Sequence, residues 1–135
     1  MLHNINDDPK KINILIEDTC GNAFTILQRI LNRNFGSNKY ELIKVSSNIH
    51  KIYLENYSDS VYMNFDLRLK GIVFYFRYKN TEYVEFCNYN MLTLQSSDFS
   101  FVLQTDRNIY NFKILNKKNH NKFIKKLYKL KNNFK

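Results

Sequence analysis

Residues 61–87 read VYMNFDLRLKGIVFYFRYKNTEYVEFC and carry the clearest structural pattern in the chain. From Val61 to Leu69 every odd position is apolar, while the even positions hold tyrosine or a polar residue. This two-residue period is typical of a strand with one face buried and the other in solvent. Gly71 ends the alternation, so the stretch predicts a half-buried strand that stops near residue 70.

Two hairpins are predicted beyond this strand. Residues 72–78 and 81–87 flank the short polar turn Lys79-Asn80, which is the spacing of a tight β-hairpin. The same alternation recurs at 99–103 and 110–114 around a polar turn at 105–108. Shorter strands are predicted at Ile12–Ile16, Tyr40–Val45, Lys51–Glu55 and Met91–Gln95. Together these segments predict an antiparallel meander of about seven strands, arranged as a barrel or a sandwich.

Two helices are predicted to frame the strands. Asn22 is a suitable N-cap, and apolar residues at helical spacing follow it as far as the stop residue Gly36. Over residues 118–132 the apolar side chains fall on one stripe and the lysines on the opposite side, as in an amphipathic helix. Residues 1–10 are expected to form a flexible N-terminus. The 135 residues are expected to fold as a single α+β domain.

The alternation also predicts which side chains share a core. Large apolar residues on the inward faces of the predicted strands and of the C-terminal helix should pack together. The set is Phe65, Phe74, Phe76, Phe86, Phe101, Phe112, Leu127 and Leu130. We expect these residues to form one continuous core.

The order of elements from Thr81 to Leu130, namely hairpin, short strand, hairpin and helix, resembles the pleckstrin-homology-like superfold. The resemblance implies end strands that splay open and a C-terminal helix that plugs one side. It also implies binding, because this superfold serves adaptors for lipid headgroups, peptides and proteins. Residues 12–35 are not part of that pattern, and an unrelated α+β fold stays open.

The net charge of the chain is concentrated near its C-terminus. Residues 107–135 contain ten lysines and arginines and no acid, whereas residues 1–106 contain 11 basic and 12 acidic residues. The whole net charge of +9 therefore belongs to the last part of the sequence. A local field of this sign attracts polyanions or acidic protein surfaces.

Three interpretations of the predicted basic helix stay open. The lysines could form only a solvated face, which the coding bias of an AT-rich genome would favour. They could contact the phosphates of a nucleic acid. They could also lie on an anionic membrane, which usually requires exposed apolar side chains beside the lysines. The basic residues concerned are Lys118, Lys122, Lys125, Lys126 and Lys129.

The nucleic-acid interpretation includes residues outside the helix. Basic and aromatic side chains on the outward faces of the strands can hold single-stranded bases by stacking. Lysine outnumbers arginine 16 to 5, which favours sequence-independent phosphate contacts over bidentate base recognition. RNA rather than DNA, or a protein that binds nucleic acid, is the expected partner. The added candidate residues are Arg107, Arg68, Arg77, Tyr62 and Tyr75.

The sequence offers few groups for catalysis. It has no phosphate-loop, dinucleotide or nucleophile-elbow motif, and His3, His50 and His120 have no partner residues at zinc-ligand spacing. We therefore expect a protein that is not an enzyme and that needs no metal or cofactor. A metal-free nuclease built from His50, His120 and Arg107 with scattered glutamates stays an alternative, because acid–base chemistry requires proximity only in space.

The cysteines and the apolar runs bear on the cellular compartment. Cys20 and Cys87 are far apart in sequence and are interpreted as small buried thiols. The start of the chain lacks the order of a signal peptide, and no apolar run approaches the roughly 18 to 20 residues of a membrane span. We expect a cytoplasmic protein.

Two function classes follow from these observations. In general character the chain is similar to small basic proteins of phages and mobile elements, among them anti-CRISPR proteins that inhibit RNA-guided nucleases. The first class is accordingly a non-catalytic protein that binds RNA or an RNA-handling nucleoprotein. The second is a pleckstrin-homology-like adaptor that binds a peptide, a protein or an anionic lipid headgroup.

Overall fold

The computed structural model describes residues 1–25, 27–28 and 37–134. In these residues two helices and nine strands form an α+β fold with two antiparallel sheets. The first sheet contains β1 (Leu2–Asn4), β4 (Phe65–Leu67), β5 (Gly71–Tyr78) and β6 (Thr81–Asn88). The second contains β2 (Tyr40–Ser46), β3 (Val61–Met63), β7 (Thr93–Ser96), β8 (Ser100–Gln104) and β9 (Ile109–Ile114). The helices are α1 (Pro9–Cys20) and α2 (Lys117–Asn133).

Most neighbours in the sheets are also neighbours in sequence. The strand orders are β1-β6-β5-β4 and β3-β2-β9-β8-β7, so the sheets do not close into a barrel. Both predicted hairpins are confirmed, since β5 pairs with β6 and β8 pairs with β9. Lys79 has a φ of 55°, the left-handed conformation that a two-residue hairpin turn of this kind requires.

The strand predicted from Val61 to Leu69 is divided between the two sheets. β3 pairs with β2 and β4 pairs with β5, so the chain passes from one sheet to the other at Asn64. The apolar residues at odd positions from Val61 to Leu67 are all buried, as the alternation predicts. The prediction fails at Leu69, which is 61% exposed because the chain turns there toward β5.

The main core lies between the sheets and is rich in aromatic rings. Phe65 occupies its centre, with ring-centroid distances of 5.0 Å to Phe112 and 5.1 Å to Phe74. Phe123 of α2 stacks on Phe65 at 5.2 Å. Six residues of the predicted core set are buried here, and Leu130 packs against them. The exception is Phe86.

A second, smaller core lies on the outer face of the first sheet, beneath α1. Phe86 belongs to this core, so its predicted place in a single core is wrong. The reason is that α1 covers a face of the sheet that would otherwise be exposed to solvent. The buried residues of this core are Ile12, Ile16, Cys20, Val73, Val84 and Phe86.

The strand predicted at Ile12–Ile16 is wrong, because these residues form the middle of α1. A carboxylate oxygen of Asp8 accepts a hydrogen bond from the backbone N–H of Lys11 at 3.2 Å, and Pro9 occupies the first helical position. Both features favour a helix start. The buried residues Ile12, Ile16 and Cys20 are four positions apart and share one face of the helix, a stripe that outweighs the strand preference of isoleucine.

The remaining differences concern short segments. The expected flexible N-terminus instead contains β1, in which Leu2 lies opposite Glu85 of β6. Residues 51–55 form no strand although the structure describes them, and the strand predicted at Met91–Gln95 begins only at Thr93. The strand predicted at Tyr40–Val45 is confirmed as β2. The helix predicted over 22–36 lies mostly outside the described residues.

The predicted C-terminal helix is confirmed as α2. Asn116 caps it, since its side-chain oxygen accepts a hydrogen bond from the backbone N–H of Asn119 at 3.0 Å. Phe123 and Leu127 enter the main core from this helix. The Nζ of Lys131 donates to the carbonyl of Tyr89 at 2.8 Å. The helix thus closes one end of the space between the two sheets.

Candidate anion-binding surface

The outward side of α2 carries an uninterrupted row of lysines. At 100° per residue, Lys118, Lys122, Lys125 and Lys129 fall within about 60° of the helix circumference, opposite the buried residues. All four are exposed. Their spacing of four, three and four residues extends the row over about 16 Å of the helix axis. We call these four residues the lysine stripe.

The lysine stripe has no neutralising partner among the residues that the structure describes. The described ion pairs of the C-terminal region include Lys117 with Asp98 at 3.0 Å, but none includes a lysine of the stripe. Lys126, which the sequence pattern places on the same face, is half-buried at the edge of the stripe. Four unpaired like charges in one row repel each other, and this repulsion is relieved when an anion binds.

His120 fixes the first turn of α2 to the second sheet. Its Nδ1 lies 2.6 Å from the hydroxyl of Tyr40, and its Nε2 lies 2.6 Å from the hydroxyl of Ser96. The imidazole is buried, and burial lowers the pKa of His120 below its ordinary value of 6.5. The sequence alone leaves His120 as a candidate acid or base, whereas in the fold it positions the helix that carries the stripe.

The stability of the protein is expected to decrease as the pH falls from 7 to 5. Because the pKa of His120 is lower in the folded state, the unfolded chain binds the proton first as the pH falls below about 6.5. The contribution of His120 to the free energy of unfolding is therefore complete above that pH and is lost below it. His3, whose pKa burial also lowers, acts in the same direction. Urea unfolding at several pH values should show a smaller decrease for His120→Gln than for the wild type, and equal decreases would contradict this assignment.

A groove with two exposed tyrosines lies where the chain passes between the sheets. Tyr62 on β3 and Tyr75 on β5 line it together with Lys39 and Asn64. The Nζ of Lys39 lies 4.1 Å from the ring centroid of Tyr62, a cation–π contact. We call this the corner groove. Sequence analysis missed Lys39, although its place directly before β2 and the alternation of that strand indicate an outward side chain.

The corner groove and the lysine stripe belong to the same end of the molecule. Lys39 precedes Tyr40, whose hydroxyl contacts His120 in the first turn of α2. Two residues beyond Met63 of the groove, Phe65 stacks on Phe123 of the same helix. Two predicted tyrosines and four predicted lysines are therefore brought to one end of the sandwich.

None of the three arginines proposed with them is among the residues that line the corner groove. Arg68 is half-buried, with its Nε 3.2 Å from a carboxylate oxygen of Asp66 and one terminal nitrogen 3.0 Å from the carbonyl of Gly21. Arg77 faces Glu82 across the hairpin, next to the β5–β6 turn. Arg107 occupies the β8–β9 turn, which precedes β9, whereas α2 follows the other end of β9. The length of that strand, about 17 Å, separates the turn from the start of the helix.

The groups considered for catalysis are also dispersed. His120 contacts the start of β2, whereas His50 follows its end, with Nε2 3.1 Å from the carbonyl of Leu2. The seven residues of β2 separate the two imidazoles by about 20 Å, so they cannot act on one reacting group. In the described part of the chain, no group of three or more potential metal-binding side chains occurs.

Both cysteines are buried, as the sequence predicted. Burial raises the pKa of Cys20 to about 12 and that of Cys87 to about 11, so both thiols are protonated at neutral pH. A thiol in this state is a poor nucleophile. Neither cysteine offers a reactive site.

Neither helix described here is both long enough and apolar enough to cross a membrane. No protein-family model matches the chain, and no curated protein matches it in sequence.

Proposed function

We propose that this is a non-catalytic binding protein whose lysine stripe contacts a polyanion, either RNA or an RNA-handling nucleoprotein. The observation that supports this most is the row of Lys118, Lys122, Lys125 and Lys129, exposed and without a described acidic partner. A helix that is packed on the core through its opposite face keeps the backbone of these lysines in one row before binding.

The character of the stripe favours the nucleic-acid backbone over base edges. Lysine ammonium groups are flexible point charges that contact phosphates without reading sequence. Successive lysines of the stripe rise about 4.5 to 6 Å along the axis, a spacing that can follow a phosphate backbone. The corner groove adds Tyr62 and Tyr75 for base stacking, which favours a single-stranded segment.

A narrower form of the proposal comes from the similarity to small mobile-element proteins. An inhibitor of an RNA-guided nuclease could dock its lysine stripe on the exposed backbone of the guide RNA. The stripe would then act as a clamp on a nucleoprotein rather than on free RNA. Inhibition of target cleavage by a purified RNA-guided nuclease, with and without the stripe lysines, tests this form directly.

Replacing the four stripe lysines with glutamine is expected to weaken RNA binding without unfolding the protein. For a single strand, the log–log dependence of affinity on salt should fall by about 0.7 for every phosphate that the variant no longer neutralises. The effect should be similar for RNAs of different sequence. Fluorescence anisotropy with labelled single-stranded RNA at several salt concentrations measures both quantities.

A matched control removes the same charge elsewhere on the surface. Lys10, Lys11, Lys70 and Lys113 are exposed and lie outside the stripe. Their joint replacement with glutamine should leave most of the affinity and the salt dependence intact. Equal weakening by both quadruple variants would show that only net charge matters, and unchanged binding in both would reduce the stripe to a solvated face.

The corner groove supports a second candidate function, an adaptor that binds a peptide as pleckstrin-homology-like proteins do. The exposed rings of Tyr62 and Tyr75 provide apolar contact at a junction between the sheets. Binding of this kind should survive nuclease treatment and the stripe replacements, and it should be abolished by Tyr75→Ala. Affinity purification of the two variants from the native host, with and without nuclease, separates the two functions.

A further inference from the structure

A polar cleft lies at the end of the sandwich that is remote from α2. It has a volume of about 480 Å³ and lies between the end of β2, the segment 47–55 and the β8–β9 turn. This volume is within the usual range of small-molecule sites, about 300 to 1,000 Å³. The cleft shares no lining residue with the corner groove or the lysine stripe.

Basic residues from three separate parts of the chain line this cleft. Lys44 comes from β2, Lys51 from the segment that follows, and Arg107 from the β8–β9 turn. All three are exposed, and none forms an ion pair within the ranges that the structure describes. Two acids also line the cleft, but Asp106 contacts the amino group of Met1 at 2.9 Å, which leaves Glu55 as the main opposing charge.

The residues at the two ends of the turn that carries Arg107 are buried and hydrogen-bonded. The side-chain nitrogen of Asn108 donates to a carboxylate oxygen of Glu85 at 3.0 Å, and the hydroxyl of Thr105 donates to the same oxygen at 3.4 Å. The backbone N–H of Thr105 also donates to the carbonyl of Asn108 at 2.9 Å. Arg107 is therefore presented from a fixed turn, which reduces the entropy cost of binding a ligand.

The opposite wall is also ordered by hydrogen bonds. The hydroxyl of Ser47 accepts a hydrogen bond from the backbone N–H of His50 at 3.2 Å. The Nε2 of His50 lies 3.1 Å from the carbonyl of Leu2, so this nitrogen carries the proton and donates. The backbone of Tyr53 is held by the hydroxyl of Tyr78, while the side chain of Tyr53 is 60% exposed at the cleft. An exposed ring on a fixed backbone is a platform for stacking.

We propose that this cleft binds a nucleoside monophosphate, or the terminal nucleotide of a nucleic acid, with the phosphate held by Lys44, Lys51 and Arg107 and the base stacked on Tyr53. Phosphate recognition by arginine and lysine uses charge-assisted hydrogen bonds, and stacking on tyrosine tolerates different bases. The proposal is independent of the lysine stripe, because the two sites occupy opposite ends of the molecule.

The probes are adenosine 5′-monophosphate, adenosine and inorganic phosphate, each titrated into the ¹⁵N-labelled full chain and followed by NMR. We expect the monophosphate to shift amides of residues 44–53 and 105–109 and to bind more tightly than either fragment. Arg107→Gln and Lys51→Gln should each lower the affinity for the monophosphate about tenfold. Glu55→Gln should raise that affinity, because it removes a carboxylate that repels the negatively charged phosphate. The amide spectrum of each variant reports directly whether the fold is retained.

Two comparisons can overturn the assignment. Tyr53→Ala should lower the affinity for the monophosphate and leave the affinity for inorganic phosphate unchanged. An equal effect on both affinities would refute base stacking. The quadruple stripe variant should bind the monophosphate as the wild type does, since its replacements lie outside the cleft. The site would be rejected if millimolar monophosphate shifted no cleft amides. It would also be rejected if the stripe variant lowered the affinity for the monophosphate as much as the cleft variants do. A short RNA that shifts cleft amides only through its terminal nucleotide would identify the nucleic-acid source of the ligand.

Discussion

Phe65→Ala is expected to lower the free energy of unfolding by about 3 to 5 kcal/mol, an effect that would unfold much of a marginally stable domain. Phe65 is 1% exposed and contacts rings from both sheets and from α2. Its removal eliminates the burial of the ring and leaves a cavity bordered by other aromatic side chains that are already fixed by their own contacts. The lysine stripe should lose its support as well, because Phe123 stacks on Phe65.

Phe99→Ala is the matched control, since the same side chain is truncated at a residue that is 83% exposed. Its expected effect on stability is within about 0.5 kcal/mol. Urea unfolding of both variants, followed by circular dichroism, measures the difference. Similar effects for the two replacements would contradict the position of Phe65 at the centre of the main core.

The parts of the fold that could be predicted from sequence depend on local patterns. The hairpin around Lys79-Asn80 and the amphipathic helix α2 each carry their own periodicity within fewer than 20 residues. The burial of the odd positions from 61 to 67 was predictable for the same reason. Their division between two sheets at Asn64 was not, because which strand pairs with which depends on long-range contacts.

The error at α1 has a different physical origin. Ile12 and Ile16 fit both a strand and the stripe of a helix, and only the cap at Asp8 with Pro9 separates the two. Phe86 was assigned to the wrong core for a related reason. A two-residue period gives the face of a strand, but it cannot show that a helix from elsewhere covers the other face.

The candidate site was predictable only as far as its residues share one element. The lysine stripe follows directly from helical periodicity in the sequence. For Arg68 the alternating pattern predicts the direction of the side chain but not its partners, here Asp66 and the carbonyl of Gly21. Arg107 was assigned to the basic region by its position in sequence, whereas the hairpin carries it to the opposite end of the sandwich.

Glu85 is the buried charge on which the second large effect depends. It lies in the middle of β6, is fully buried, and faces the main core between Val84 and Phe86, which face α1. One carboxylate oxygen accepts hydrogen bonds from the Tyr110 hydroxyl at 2.5 Å and from the Asn108 side chain at 3.0 Å. The other oxygen contacts the amino group of Met1. Burial, together with the neighbouring Glu85 carboxylate, raises the pKa of Tyr110, so its hydroxyl remains a donor.

Glu85→Ala is expected to lower the free energy of unfolding by about 3 to 5 kcal/mol, because it removes one partner of a buried ionic and hydrogen-bonded group and leaves its donors unsatisfied. Glu82→Ala, on the same strand but exposed, should change stability by no more than about 0.5 kcal/mol. Chemical unfolding measures both values, and comparable effects would contradict the buried network.

Because Thr105 and Asn108 also hold the turn that carries Arg107, a partly folded Glu85 variant should lose order first in residues 105–108. Hydrogen exchange of those amides, compared with amides of α2, would place the defect at the cleft rather than at the lysine stripe.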